Sequence, residues 1–200
     1  MREIVFATNN PHKLEELSEI ADAYFPLPTG EGQGEGAINF ILPPKGFNPI
    51  ETGETFEENS LIKAREAARL SGKPALADDS GLCVTALGGA PGVHSARYAD
   101  TAQGRIDRLL KELESYEDRS AKFVCVMTLV DEAGEILFTA RGECHGEIAR
   151  KQSGINGFGY DPVFIVKDSG KTMAEMSEEE KNLISHRGLA LRQILAYFNV

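Results

Sequence analysis

Two adjacent carboxylates, Asp78 and Asp79, close an apolar run that begins at Pro74, and a hydroxyl and a glycine, Ser80 and Gly81, follow at once. Carboxylates placed where a buried strand meets a loop are the donors an octahedral Mg²⁺ takes. That ion binds one or two of them, keeps waters and completes its shell with substrate phosphate. The same residues also suit a turn in which Asp79 or Ser80 bonds its own backbone, so the dipeptide alone decides nothing.

Four other segments carry groups of matching chemistry. Thr8-Asn9-Asn10 ends the first apolar run, and Pro11 opens a helical pattern. A strand-to-helix junction offers unbonded backbone N–H groups and a positive helix end, which together seat a phosphate. Lys13 lies in the first turn, within reach of that phosphate, and Glu16 is spaced to hold it. Asparagine at such a junction equally serves as a cap and nothing more. Lys63 borders an apolar helix face of Leu61, Ile62, Ala64, Ala67 and Ala68, where a lysine either turns inward or snorkels to solvent. Glu51-Thr52-Gly53 brings a carboxylate to the mouth of the same helix. The pentapeptide Gly157-Phe158-Gly159-Tyr160-Asp161 joins pliable backbone to two aromatics and an acid. It is either a loop on which Phe158 stacks a planar base or a tight turn with core aromatics. Lys181, His186 and Arg187 are donors suited to carbonyl or phosphate oxygens, or else a solvated helix end. Among the remaining histidines, His12, His94 and His145, no ligand spacing is present.

The elements that must position these groups follow from periodicity and punctuation. Residues 3–8 read as a buried strand. A helix follows with Asn10 as N-cap, Pro11 at its first position and Leu14, Leu17, Ile20 and Tyr24 at helical spacing. Residues 28–49 are rich in Gly and Pro and lack periodicity, which predicts a mobile loop with a short strand at residues 38–42. A second helix runs over residues 55–72, with Thr55 and Glu58 as a capping box and Gly72 as its stop. Residues 74–79 form a strand, and residues 100–116 a third helix burying Ile106, Leu109, Leu110 and Leu113. Two long strands, residues 120–131 and 135–148, meet at an Ala133-Gly134 hairpin. A glycine-rich loop then feeds another strand ending near Val166. A capping box of Ser177 and Glu180 opens the last segment, whose final helix is capped by Ser185 and carries Leu191, Ile194, Leu195 and Phe198. This alternation predicts one domain, residues 1–200, of mixed α/β (α+β) class: a long central mixed sheet flanked by helices.

Two hundred residues can bury a substantial core. A formal net charge of −10 argues against a nucleic-acid polymer or an anionic membrane as partner. It also requires that any polyanionic substrate meet a locally cationic pocket or a metal. Cys83, Cys125 and Cys144 are odd in number and lack metal-ligand spacing, so buried thiols in a reducing cytoplasmic setting are expected. No signal peptide and no membrane-spanning run are read.

Taken in order, TNNPHKLEEL, ETGETFEENSLIKA, ADDSGLCVTALGGAPGVHSARYA, GFGYDPVF and EEKNLISHRGLAL resemble the inosine triphosphate pyrophosphatases, the Ham1-like family of non-canonical purine NTP pyrophosphatases. The resemblance covers nearly the whole chain. It implies Mg²⁺-dependent hydrolysis of ITP, dITP and XTP to monophosphate and pyrophosphate, by a cytosolic homodimer with two lobes around a substrate cleft. By that likeness Asp79 is general base and metal ligand, and Glu51 the second metal-side carboxylate. Thr8, Asn9, Asn10, Pro11, His12, Lys13, Lys63 and Lys181 would hold the triphosphate. Ser80, Phe158, Gly159, Tyr160, Asp161, His186 and Arg187 would surround sugar and base. Donors such as Arg187 and His186 favour a six-position carbonyl and leave adenine's amine unpaired, a penalty capable of roughly 10⁴ in discrimination. The chain departs from the family pattern at residues 27–50, a longer and Gly-rich stretch, and at Asn9, where many relatives have Gly or Ser. The rival readings are a Maf-like pyrophosphatase acting on pyrimidine or modified nucleotides, and a nucleotide sensor with a degenerate site.

Overall fold

The computed structural model describes residues 2–9, 11–24 and 38–198. Asn10 and the Gly-rich residues 28–37 lie outside them, as do the side chains of Pro11, His12, Glu16 and Tyr24. The first strand, β1 (Arg2–Phe6), leads into helix α1 (Pro11–Tyr24), whose Leu17, Ile20 and Ala21 are buried. Strand β2 (Ile38–Ile41) pairs parallel with β1, as the short strand expected there. Helix α2 (Phe56–Ser71) begins and ends as its sequence predicts. Thr55 Oγ1 accepts from Glu58 N, the Glu58 carboxylate accepts from Thr55 N, and Gly72 closes the helix in the left-handed conformation at φ 65°. A glycine there avoids the Cβ clash that any other residue would meet.

Strand β3 (Ala75–Val84) pairs parallel with β1, so β2 and β3 flank β1 on either side. It runs further than the expected end at Asp79, continuing through Ser80 and Gly81. Asp, Ser and Gly favour a turn in isolation. Here, however, β1 and β4 lie on either side of the strand and its residues are mostly buried, so the sheet ladder is where its backbone groups find partners. Asp79 therefore stands within a strand and not at its mouth. Helix α3 (Ala102–Glu112) buries Ile106 and Leu109 against the core, with Leu113 just beyond it, while Leu110 is only half-buried. Strands β4 (Ser120–Val130) and β5 (Ile136–Ile148) are joined by a tight turn in which Gly134 N donates to Asp131 O at 3.0 Å and Asp131 N to Glu135 O at 3.0 Å. Strand β6 (Phe164–Val166) is antiparallel to β5 and completes a six-stranded mixed sheet in the order β2-β1-β3-β4-β5-β6. Helices α4 (Glu178–Ile184) and α5 (His186–Tyr197) are separated by Ser185, whose extended ψ of 148° breaks the helical path. The class is the expected mixed α/β.

The chain divides into two compact units. The first comprises residues 1–79, 126–141 and 188–200; the second, residues 80–125 and 142–187. In the first, Val5, Ala7, Phe47, Ala64, Ala67, Ala68, Ala75, Ala77 and Val130 form one core cluster, in which small alanines let α2 approach the sheet closely. In the second, Leu82, Ile106, Leu109, Phe123, Ile148, Val163, Phe164 and Met173 pack together. Cys125 and Cys144 are buried as expected, whereas Cys83 is only half-buried, and burial pushes the Cys144 thiol up to about 11. Among the described residues, no helix is long and apolar enough to cross a membrane.

Candidate active site

Alternation along β3 sends the side chains of Asp78 and Asp79 to opposite faces of the sheet. The crossover from β1 to β2 carries α1, and the crossover from β2 to β3 carries α2. Right-handed connections on either side of β1 place those helices on opposite faces. Each aspartate accordingly meets a lysine from a different helix. Lys13 of α1 donates to Asp78 Oδ2 at 3.0 Å and to Oδ1 at 3.2 Å. Lys63 of α2 donates to Asp79 Oδ1 at 2.9 Å and lies 3.5 Å from Glu51 Oε1. Lys63 is thus turned inward, and Asp78 holds Lys13, while the Glu16 side chain expected to hold it lies outside the described residues.

Asparagine 59, which the sequence reading did not single out, is completely buried one turn before Lys63 on α2. Its Nδ2 donates to Asp79 Oδ2 at 3.3 Å, and its Oδ1 accepts from Gly53 N at 2.9 Å. Gly53 can be nothing larger without a shift, since a Cβ there would stand 2.6 Å from Glu58 Cβ. Close to the end of β1, Thr8 is buried, and the exposed Asn9 donates to the carbonyl of Phe47 at 3.2 Å.

Electrostatics in this cluster follow from a count of charges. Three carboxylates, Glu51, Asp78 and Asp79, stand against two lysines. Burial holds Asp79 above the usual carboxylate range; Lys63 opposes this, while Glu51 and Asp78 add to it. Burial pushes Lys63 downward, but the charges of Asp78, Asp79 and Glu51 outweigh it, and its ammonium is held above its ordinary value. Among the described residues the cluster thus sets three carboxyl groups against two amino groups. Hard carboxylate oxygens fit a magnesium ion, which needs only one or two of them. Among the described residues no group of three or more His, Cys, Asp or Glu is gathered as a ligand set, so water and substrate would supply the other positions.

The second unit gathers a different chemistry. Lys181 Nζ donates to Asp161 Oδ2 at 3.0 Å, with both side chains buried. The same oxygen accepts from Phe158 N at 2.9 Å, which shapes the loop over the carboxylate. Gly157 takes φ 73° here, and a Cβ on it would stand 2.1 Å from Asp161 Oδ2, so only glycine fits. Phe158 is 57% exposed. Lys181 Nζ lies 4.9 Å and Arg187 Cζ 5.8 Å from its ring centroid. An exposed aromatic face with cations beside it is a platform for a planar ring. His186 stacks on Phe123 at 4.9 Å between centroids, which orients its ring. Tyr160 is buried and donates its hydroxyl to Ser95 O at 3.0 Å, with burial raising it to about 12. Gly159 takes φ 64°, and Ser80 is half-buried.

The first unit thus brings together Glu51, Lys63 and Asp79, with Lys13 on Asp78. The second brings together Phe158, Asp161, Lys181 and Arg187. A profile of the Ham1 family matches residues 4–197. The chain belongs to the Ham1 family. It is 43% identical over 195 residues to the dITP/XTP pyrophosphatase of Prochlorococcus marinus, covering 98% of this chain and 92% of that one. It is 46% identical over 206 residues to the dITP/XTP pyrophosphatase of Ralstonia nicotianae, covering 98% and 96%. Among solved structures it is similar to a HAM1 protein from Coxiella burnetii, with a TM-score of 0.86, 44% identity and coverage of 100% and 99%. The nucleoside-triphosphatase/dITP/XTP pyrophosphatase of Mycobacterium abscessus is also similar, with a TM-score of 0.75, 38% identity and coverage of 96% and 97%.

Proposed function

We propose that this member of the Ham1 family hydrolyses non-canonical purine nucleoside triphosphates, dITP, XTP and ITP, to the monophosphate and pyrophosphate. The observation that carries the reading is the buried Asp79, oriented by Lys63 and Asn59 beside Glu51. The dITP/XTP pyrophosphatases to which the chain is 43% and 46% identical support the same substrate class.

In this reading Asp79 accepts the proton of the attacking water as the bond between the α- and β-phosphates breaks. A carboxylate held above its usual range by burial is a better base than an exposed one. Lys63 and Lys13 balance charge on the phosphates, so catalysis is chiefly positioning and electrostatics. Glu51 and Asp79 would hold Mg²⁺, which when bound neutralises phosphate charge and fixes the triphosphate. Phe158 stacks on the base, with Arg187 and His186 as donors to its six-position carbonyl, and Lys181 serves the triphosphate. The reading includes a homodimer at work in the cytoplasm, and sedimentation equilibrium tests the dimer.

The test is pyrophosphate release from dITP, XTP, ITP, GTP and ATP, with and without Mg²⁺, for wild type and Asp79→Asn. Release from the first three, little from GTP or ATP, and loss of about 10³-fold or more in the variant are expected. Orthophosphate as product overturns the reaction, and tight binding without turnover makes the chain a sensor.

A further inference from the structure

Asn59 takes no direct part in the reaction described, yet its environment is costly to build. It is completely buried in the first half of α2, where asparagine forms helix poorly. A buried carboxamide is tolerated only when its polar atoms are bonded, and both ends of this one are engaged. Gly53 N is a donor and nothing else, so the end of the amide facing it must be the oxygen. The amino end is then fixed toward Asp79 Oδ2, 3.3 Å away. Lys63 holds the other carboxylate oxygen at 2.9 Å. With one donor on each oxygen, the plane of the Asp79 carboxylate is set.

The second consequence concerns spacing. Gly53 lies two residues after Glu51, and its backbone is pressed against the start of α2: a Cβ would meet Asn59 Oδ1 at 2.7 Å. The capping box holds the intervening chain as well, with Glu58 Oε2 accepting from Glu54 N and Thr55 N. The segment bearing Glu51 is thereby registered against the same amide that orients Asp79. A single side chain links Asp79 to the backbone two residues after Glu51.

We propose that Asn59 is a positioning residue that ties the Glu51 segment to Asp79 and so fixes the separation of the two carboxylates the reaction uses. The inference rests on the roles given to Glu51 and Asp79 above. Misplacement of a reacting group by about 1 Å costs on the order of 10²-fold in rate. That loss falls on the chemical step, while nucleotide binding, which draws on the lysines and Phe158, is spared.

The experiment measures kcat and KM for pyrophosphate release from dITP in wild type, Asn59→Leu, Glu51→Gln and the double variant, with thermal unfolding of each. Leucine keeps the branching of asparagine at Cγ, though it is larger, and removes both bonds. The expected result is a kcat about 100-fold lower in Asn59→Leu, with KM changed less than about 3-fold. In the Glu51→Gln background the same substitution then costs less than about 10-fold, because the carboxylate whose position it protects is already gone. A folded Asn59→Leu with wild-type kcat overturns the proposal, as does an equal loss in both backgrounds, which places the effect elsewhere. If Asn59→Leu does not fold, Asn59→Ser is judged by the same criteria, since its short hydroxyl cannot span both partners. Failure of wild type to release pyrophosphate fells the functional reading itself. An active wild type with an undisturbed Asn59 variant fells only this inference.

Discussion

Lys181 and Asp161 show at the scale of single residues how the loop carrying Phe158 and the stability of its unit are coupled. Both side chains are more than nine-tenths buried, and the Asp161 carboxylate also accepts the N–H of Phe158. Removing one member of such a pair leaves a buried charge uncompensated, which costs roughly 3–5 kcal/mol, whereas removing both is far milder. Lys181→Met is therefore expected to lower the free energy of unfolding by about that much, read as a lower urea midpoint at unchanged m. Adding Asp161→Asn, which keeps an acceptor for Phe158 N, regains most of it. Equal destabilisation by the single and double variants would mean the pair contributes through packing alone.

Capping boxes make the element scale testable through pH. Glu58, Glu175 and Glu180 each accept backbone N–H groups at a helix start, and each is held below its ordinary value of 4.5. For Glu58 and Glu180 those backbone bonds are the leading cause; for Glu175 it is the hydroxyl of Ser153, with the backbone bond from Thr172 next. A carboxylate lowered on folding adds stability above its ordinary value, and that stability is lost as pH falls through its folded value. Unfolding by urea is thus expected to become easier as pH drops below about 4.5, and less steeply so when all three are Gln, which keeps the acceptor without the charge. An unchanged slope in the triple variant would assign the acid sensitivity to other carboxylates. Two of these boxes, at Thr55 and Ser177, are legible in sequence because their residues sit three apart before a helical pattern. The third, at Thr172, caps a single 3-10 turn and offers no periodicity to mark it. The same logic explains the end of β3. Asp79, Ser80 and Gly81 carry a local turn preference, and only the strands on either side, remote in sequence, overrule it. Lys63 and Asp79 could be read as chemical groups from their types. Asn59 could not, because its partner Gly53 is fixed by the path of the loop and not by spacing along a helix.

Across the whole molecule, the chain passes between its two units four times, inside β3, β4, β5 and α5. Neither unit is a continuous stretch, and three strands have one part in each. Unfolding is accordingly expected as one cooperative transition, with calorimetric and van't Hoff enthalpies equal. Two resolved transitions would show that the units melt independently in spite of their shared strands. The same path orders events during synthesis. The first unit includes β1, the first half of β3 and Asp79 at one end of the sequence and residues 188–198 at the other, where Leu191, Ile194 and Leu195 are buried. A ribosome adding about 5–20 residues per second needs roughly 5–20 s to travel from Asp79 to Gly188. Throughout that interval the apolar surface that α5 will cover has no cover. A chaperone acting on the nascent chain would meet the strand that carries Asp79 before residues 188–198 of the same unit exist.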